Sequence, residues 1–454
     1  MSARTALLFL VATAVAAFGH LSAAYAQAPL TVPPILFKER QLSNGLRVVT
    51  AANREAATVS IQVWYHVGAR NDPPGRSGFA HLFEHMMFKG SKHMQSEQFD
   101  RLTEDIGGEN NAFTSEDVTV YIDTVPANHL EPLLWAEAER MSNLQVVEAT
   151  FRSEREVVKE EYRQRVLASP YGRFQIALPA STYIQHPYRR PTIGSLEDLD
   201  GATLAEVQAF HRTFYRPDNA TLVVVGDFDA DQLDAWVDKY FAPVPRPDAP
   251  LPAFAGHEPA WPTDRTASVR GPNVPLPAVA LAWQGPARTH PDAPALQVAA
   301  ALLSWDDASR LKQALVYRQR LATMVSFRAD LRVGPGLLKA IGYVAPGKSP
   351  TAVATALDAE VRRLARHGPG AAELRRVKAQ LLTSYLAARQ TSDGLAYALG
   401  EAAVLDGDAD HANRELVLLQ RVTAEDVRRV LRRYVLEGRR VALDYRQGTP
   451  ARRP

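Results

Sequence analysis

Seven prolines fall within the twenty residues from Pro243 to Pro262 (Pro243, Pro245, Pro247, Pro250, Pro252, Pro259 and Pro262). Proline fixes φ and lacks a backbone N–H, so a run this dense can be neither helix nor central strand, and it extends as a semi-rigid spacer. The spacer parts a 454-residue chain into flanking pieces of roughly 220 and 190 residues, each of domain size. The two pieces look alike. In the first, Val59 to Trp64 alternates as a half-buried strand does and runs through a Pro/Gly loop (Asp72, Pro73, Pro74, Gly75) into an apolar segment near Phe79. In the second, Val279 to Trp283 runs through Pro286 and Pro291 into the helical pattern from Ala295 to Leu303. A duplicated domain is the expectation. A hairpin is expected at Asn44-Gly45 and a buried strand at Thr221 to Val225. Helical patterns run over about 150–166, 203–214, 230–241, 351–366, 371–389 and 423–435. Strands and helices mix without the regular alternation of a doubly wound sheet, which makes the fold class α+β.

The N-terminus carries a different pattern. Arg4 precedes an apolar run from Ala6 to Phe18, and Ala24-Tyr25-Ala26 reads as a small-x-small cleavage site. The expectation is a signal peptide over 1–26 rather than a membrane anchor, since the run is too short to span a bilayer and no later stretch of about 18 apolar residues follows. The product would be exported, and periplasmic in a Gram-negative cell. The remaining layout is an N-terminal domain at 27–242, the linker at 243–262, a C-terminal homologous domain at 263–447 and a tail at 448–454.

Charge and cysteine content narrow the chemistry. Lys and Arg number 52 against 50 Asp and Glu, a net charge of +2. That balance lacks the basic excess a dedicated nucleic-acid binder needs for its phosphate contacts. There is no cysteine, which removes disulfides, Cys-ligated zinc, iron–sulfur clusters and thiol nucleophiles together. Any metal must be held by His and carboxylates.

Such a set is present. In the segment Ser77 to Gly90, His81 and His85 lie four residues apart, one turn up the same face of a helix with Ser77 as N-cap and Gly90 as terminator. Two imidazoles so placed can chelate one Zn²⁺, and Glu84 on the same edge can take a proton from a metal-bound water without being a ligand. Phe79, Leu82, Phe83, Met86, Met87 and Phe88 make this helix apolar nearly all round. A Glu and two His buried in it are costly unless paired or metallated. The competing reading is a pair of core histidines satisfied by neighbouring hydrogen bonds. His-x-x-Glu-His is the inverted zincin pattern, and it requires a third ligand. From Phe151 to Arg163, helical spacing puts Glu154, Val157, Val158 and Glu161 on one stripe. The valines mark that stripe as inward, which selects Glu161 over Glu160 as the ligand and leaves Glu154 as an orienting carboxylate. On its own, so charged a run would read as a solvated helix face laced with i,i+4 pairs.

These residues resemble the M16 family of zinc peptidases, which includes pitrilysin, insulin-degrading enzyme and the β subunit of the mitochondrial processing peptidase. His81, Glu84, His85 and Glu161 match the family's pattern, and Glu154 its other acidic residue. The resemblance extends through Gly107 to Thr114 and Phe214 to Asp227. It implies two homologous α+β domains closing as a clamshell on a peptide substrate, one zinc per chain, and a substrate that adds as an extended strand beside Asn111, Ala112 and Phe113. Without it, Asn110-Asn111 could equally be turn residues. The two-domain length resembles the short subfamily, whose members usually pair as dimers.

One departure stands out. Active relatives carry an Arg and a Tyr seven residues apart in the second domain, reaching the substrate at the zinc site. Aligned on Leu315 and Leu321, those positions hold Val316 and Thr323. Val has no donor and Thr is too short to replace a phenol. Tyr317 and Arg318 could substitute only through a register shift of about 100° per residue. Nor does Leu296 to Ala300 repeat the His-x-x-Glu-His pattern. The expectation is a zinc-bearing endopeptidase subunit whose M16-like partner supplies the missing pair. The alternative is a non-catalytic structural or chaperone-like homologue, and a periplasmic metal carrier is a weaker third.

Overall fold

Each half of the chain builds a mixed sheet, and apart from one extra strand at the start the same order of strands occurs twice. The computed structural model describes residues 32–254 and 256–448. The expected signal peptide at 1–26, and all of the tail but Gly448, lie outside the described residues. The first half contains strands β1 (Lys38–Gln41), β2 (Arg47–Ala52), β3 (Thr58–Tyr65), β4 (Glu109–Thr114), β5 (Thr119–Pro126) and β6 (Ala220–Gly226). Its helices are α1 (Phe79–Met86), α2 (Gln98–Glu104), α3 (Leu130–Asn143), α4 (Glu148–Tyr162), α5 (Gly172–Thr182), α6 (Leu196–Asp200), α7 (Leu204–Phe214) and α8 (Ala230–Phe241). The second half contains β7 (Arg265–Gly271), β8 (Ala278–Gly285), β9 (Ala322–Asp330), β10 (Gly336–Val344) and β11 (Arg440–Gln447). Its helices are α9 (Ala293–Ser304), α10 (Pro350–His367), α11 (Ala371–Ala388), α12 (Ser392–Leu405), α13 (His411–Arg421) and α14 (Ala424–Leu431).

The sheet orders are β1-β2-β6-β3-β5-β4 and β7-β11-β8-β10-β9. Apart from the extra β1, the two superimpose term by term. β2 runs parallel to β6 as β7 does to β11, while the remaining neighbours are antiparallel. This repetition is the duplicated α+β architecture expected from the strand–loop–helix pattern. β1 and β2 form the hairpin expected at Asn44-Gly45. There Gly45 takes φ +93°, where a side chain would be strained.

The linker is less free than its proline content suggests. Among the described residues no helix or strand lies between Phe241 and Arg265, but Arg216 donates to the carbonyls of Ala249 and Pro247, both at 2.7 Å. Glu258 accepts three backbone N–H bonds, from Ile184, Gln185 and His186. The spacer is therefore strapped along its length to the body of the protein.

One face of each sheet packs on its own helices. Leu82, Phe83, Leu133, Val158, Phe210 and Val237 pack with β3 and β6 in the first half. Leu296, Leu302, Leu357, Val377 and Val430 do the same with β8 and β10 in the second. The opposite faces are covered by exchange. Ala396, Leu399, Ala402 and Ala403 of α12 close over Val49, Trp64, Val120 and Val223 of the first sheet. Phe174 and Leu178 of α5 close over Ala280, Leu337 and Leu443 of the second.

This exchange explains why β3 departs from the half-buried strand its alternation implies: seven of its eight residues are buried. Its polar positions are satisfied from the other half. Gln62 donates to both the carbonyl and Oδ1 of Asp393 at the start of α12, and accepts from Trp64 Nε1 at 3.0 Å. Gly400 is the contact point of α12, since a Cβ there would lie 2.3 Å from Trp64 Nε1. Gly400→Ala should therefore overpack this seam and destabilise the protein by about 1–3 kcal/mol. Urea unfolding would show it as an earlier midpoint, and an unchanged midpoint would mean the seam yields freely.

Candidate metal centre

Helix α1 carries the His-x-x-Glu-His residues, and a carboxylate other than the expected cap sets its start. Asp72 accepts from the backbone N–H of Gly78 at 2.7 Å and of Ala80 at 2.9 Å. Ser77 instead turns its hydroxyl to Asp198, which also accepts its backbone N–H at 2.9 Å. Gly78, at φ +97°, is the N-cap residue. It sits backbone to backbone with Gly194, where a Cβ on Gly194 would lie 2.3 Å from the Ser77 carbonyl oxygen and 2.7 Å from Gly78 Cα. The helix ends at Met86, short of Gly90, and its C-cap is Met87. Burial lifts the Asp72 carboxyl to about 7, against the pull of its two amide donors.

On α1, His81 is buried, while His85 and Glu84 are partly so. The two imidazole rings stand 4.9 Å apart at nearly a right angle. The facing side chain comes from α4. Glu161 Oε2 lies 3.3 Å from His85 Nε2 and 3.6 Å from His81 Nε2. Ligand atoms of all three residues fall within 4.8 Å of one another. A tetrahedral zinc with bonds of roughly 2.0–2.1 Å spaces its ligand atoms about 3.4 Å apart, so both His-to-Glu separations fit edges of such a site. His81 Nδ1 is buried without a partner. Burial, then the neighbouring His85, push the His81 imidazole down to about 4, which keeps it neutral and its lone pair free at pH 7. For Glu161, burial alone would raise the carboxyl. The hydrogen bond from His85 and the nearby His81 and Arg165 outweigh it and hold the group below the usual range.

Glu154 is also inward, at 5% exposure. Its Oε2 approaches His85 Nδ1 at 3.8 Å and its Oε1 is paired with Lys89 Nζ at 3.2 Å. The stripe that singled out these glutamates is narrower than its pattern suggested. Val158 is fully buried, but Val157 is 46% exposed. At 100° per residue it lies on the flank of the helix, past the edge of the packed face.

Glu84 is turned toward β4, where Thr114 donates a hydrogen bond to it, and its Oε2 is buried with no partner. Burial raises its carboxyl above the usual range, and the charge of Glu161 adds to this. A carboxylate with one oxygen fixed and one free, beside two imidazoles and a second acid, is placed to exchange a proton with a group held between them.

β4 is the outer strand of its sheet. Ser115 donates to Val118 in the turn that follows it. The alternation of antiparallel pairing from there turns the main-chain groups of Asn110, Ala112 and Thr114 toward the free edge. In accord with this, the Ala112 N–H is met only by the Asn111 side chain, at 2.8 Å. Ala112 packs on the α1 side of the sheet. Phe113 points the other way, edge-on to Trp64 and beside Tyr397 of α12.

In the second half, α9 offers only apolar and amide side chains at the corresponding turn, with Leu296 and Ala299 fully buried. Val316 lies in a π-helical stretch, Lys312–Arg318, against the second core. Thr323 is exposed on β9, its hydroxyl 3.4 Å from the Tyr343 carbonyl. Among the described residues, no hydrogen bond or ion pair joins the stretch 316–323 to His81, Glu84, His85 or Glu161. Two cations beside the acids, Lys89 and Arg165, were not singled out in the sequence. Their i,i+4 spacing from His85 and Glu161 was the available signal.

The family described as Insulinase (Peptidase family M16) matches residues 47–196, and the one described as Peptidase M16 inactive domain matches 201–381. A zinc protease of Helicobacter pylori named PqqE is 34% identical over 322 residues, 70% of this chain and 72% of that protein. A probable mitochondrial-processing peptidase subunit beta of Arabidopsis thaliana is 26% identical over 405 residues, 87% of this chain and 76% of that protein. Among solved structures, a protease from Helicobacter pylori aligns with a TM-score of 0.88 at 28% identity, covering 91% of this chain and all of that one. The first half of the periplasmic protease PqqL from Escherichia coli shares the fold, with a TM-score of 0.74 at 20% identity over 93% of this chain and 94% of that one. The matched regions take in strands of both sheets and every residue of the His/Glu centre, and the chain belongs to the M16 peptidase family.

Proposed function

We propose that this protein is an exported zinc-dependent endopeptidase acting on peptides or unfolded segments, and that it works with an M16-like partner. The observation that carries the reading is the convergence of His81, His85 and Glu161 at tetrahedral spacing, with the free oxygen of Glu84 beside them. When bound, zinc would supply a Lewis acid that acidifies water and polarises the scissile carbonyl. Glu84 takes the proton from the attacking water and passes it to the leaving amine, and its raised pKa suits both directions of transfer. Glu154 holds the His85 ring from behind, and the substrate strand pairs with the outward main-chain groups of β4.

Export rests on the pattern of residues 1–26, and in a Gram-negative cell it places the protein in the periplasm. The partner rests on Val316 and Thr323, which stand where the Arg and Tyr of active relatives would be. One relative is itself named as a subunit.

The same two residues favour a second reading, a non-catalytic structural homologue. Metal analysis together with cleavage of an unstructured peptide separates the two. Bound zinc with turnover supports the enzyme, and bound zinc with no turnover in the presence of any co-purifying partner supports the scaffold.

Strand pairing has its own check. Ala112→Pro removes the edge-facing N–H without touching the β5 ladder, as proline is tolerated on an outer strand. KM for a peptide should rise by about threefold to tenfold, the loss of one main-chain hydrogen bond. An unchanged KM would remove β4 as the docking strand.

A further inference from the structure

Glu154 and Glu161 each divide their two oxygens between different partners. Glu161 turns Oε2 to the imidazoles, while Oε1 is 2.5 Å from Arg165 Nη1. Arg165 follows Glu161 by one turn, just past the end of α4, in a π-helical stretch at Arg163–Ala168. Short π-helical turns of this kind recur at functional sites.

The side chain of Arg165 is 73% exposed, which taken alone would make it one more weak surface pair. Its backbone, however, is gripped. A Cβ on Gly172 would lie 2.2 Å from the Arg165 carbonyl oxygen, so α5 starts hard against this turn. Arg173 donates to the Leu167 carbonyl at 2.9 Å, and Val166 is buried. The neighbouring residues behave differently. Arg163 and Gln164 both reach outward to Glu160, and Arg165 alone turns to the inward acid.

We infer that Arg165 is a positioning residue that holds one oxygen of Glu161 away from the metal, so that this ligand binds through a single oxygen. The inference rests on the zinc-peptidase reading above. A carboxylate with both oxygens free can take a cation through both, filling a position that a catalytic site must keep open for water or substrate. The guanidinium prevents this by pairing with Oε1 as a close counter-charge. Its positive charge also repels the metal, so the arrangement gives up some affinity for an open coordination position.

The consequence has an unusual sign. Arg165→Met should bind zinc more tightly than the wild type, by about twofold to fivefold, the scale of one exposed charge interaction. In the same variant kcat should fall by about tenfold to a hundredfold with little change in KM, as expected when the reacting groups are misplaced. Arg165→Lys keeps the charge and one donor and should recover most of the kcat.

The test uses the zinc-loaded protein purified from its native host with any partner it retains. Zinc affinity is measured by chelator competition, and turnover on an unstructured fluorogenic peptide. Weaker zinc binding in Arg165→Met, in step with lost activity, would show plain structural damage and overturn the inference, as would an unchanged kcat. A wild type that binds no zinc or cleaves nothing would instead overturn the functional reading, and this inference with it.

Discussion

Glu84→Gln should lower peptide cleavage by about 10²–10⁴-fold while the protein keeps its zinc. Gln is the same size as Glu and retains an oxygen to accept the hydrogen bond from Thr114, so the helix and its neighbours have no reason to move. What it loses is the ability to take up a proton. His81, His85 and Glu161 meet one another without help from Glu84, so metal content should remain at one zinc per chain. Cleavage rate and metal stoichiometry measured on one preparation decide the matter. If rate and zinc fall together, Glu84 belongs to the ligand set. If neither falls, the proton passes elsewhere.

Glu161→Ala should have the opposite signature, with zinc affinity collapsing and activity following it. Loss of an outer hydrogen-bond partner costs a metal site roughly 10–100-fold, and loss of a direct ligand should exceed that. The two imidazoles would be left with no acid facing them. Glu154 cannot step in, because its oxygens lie toward the far nitrogen of His85 and toward Lys89.

Thermal unfolding gives a second readout. A ligand that binds only the folded chain stabilises it by mass action, so chelator should lower the Tm of the wild type and leave that of Glu161→Ala where it is. Equal sensitivity of both proteins to chelator would place the metal somewhere other than this centre.

Much of the centre could be read from residue spacing because its parts are local. His81, Glu84 and His85 occupy one turn, so the helix alone brings them to a common edge. The selection of Glu161 over Glu160 follows from the same geometry. Glu160 faces Arg163 and Gln164 in solvent, while Glu161 faces the imidazoles. The errors lie at boundaries, where competing partners decide. Ser77 has the chemistry of an N-cap, but Asp72 reaches the helix N–H groups from six and eight residues away, and Asp198 claims the serine. The orientation of β4 was hidden for a similar reason. Which of Asn111, Ala112 and Phe113 offers its backbone to the free edge depends on register with β5, and a one-residue slip would reverse it.

The sequence by itself determined the local pieces and the donors: the repeated strand–loop–helix pattern, the proline spacer, the His-x-x-Glu-His turn and the acid stripe that faces it. These are properties of periodicity and residue chemistry, which act over one or two turns. Only the tertiary structure decided that the halves interlock. α12 seals the outer face of the first sheet and α5 that of the second, which turns β3 from a half-exposed strand into a buried one and gives Gln62 its partner on Asp393. Such contacts join residues far apart in the chain, Gln62 and Asp393 by 331 positions. What selects them is the burial of two apolar faces against each other, a force without direction along the chain, and no local pattern records which face will meet which.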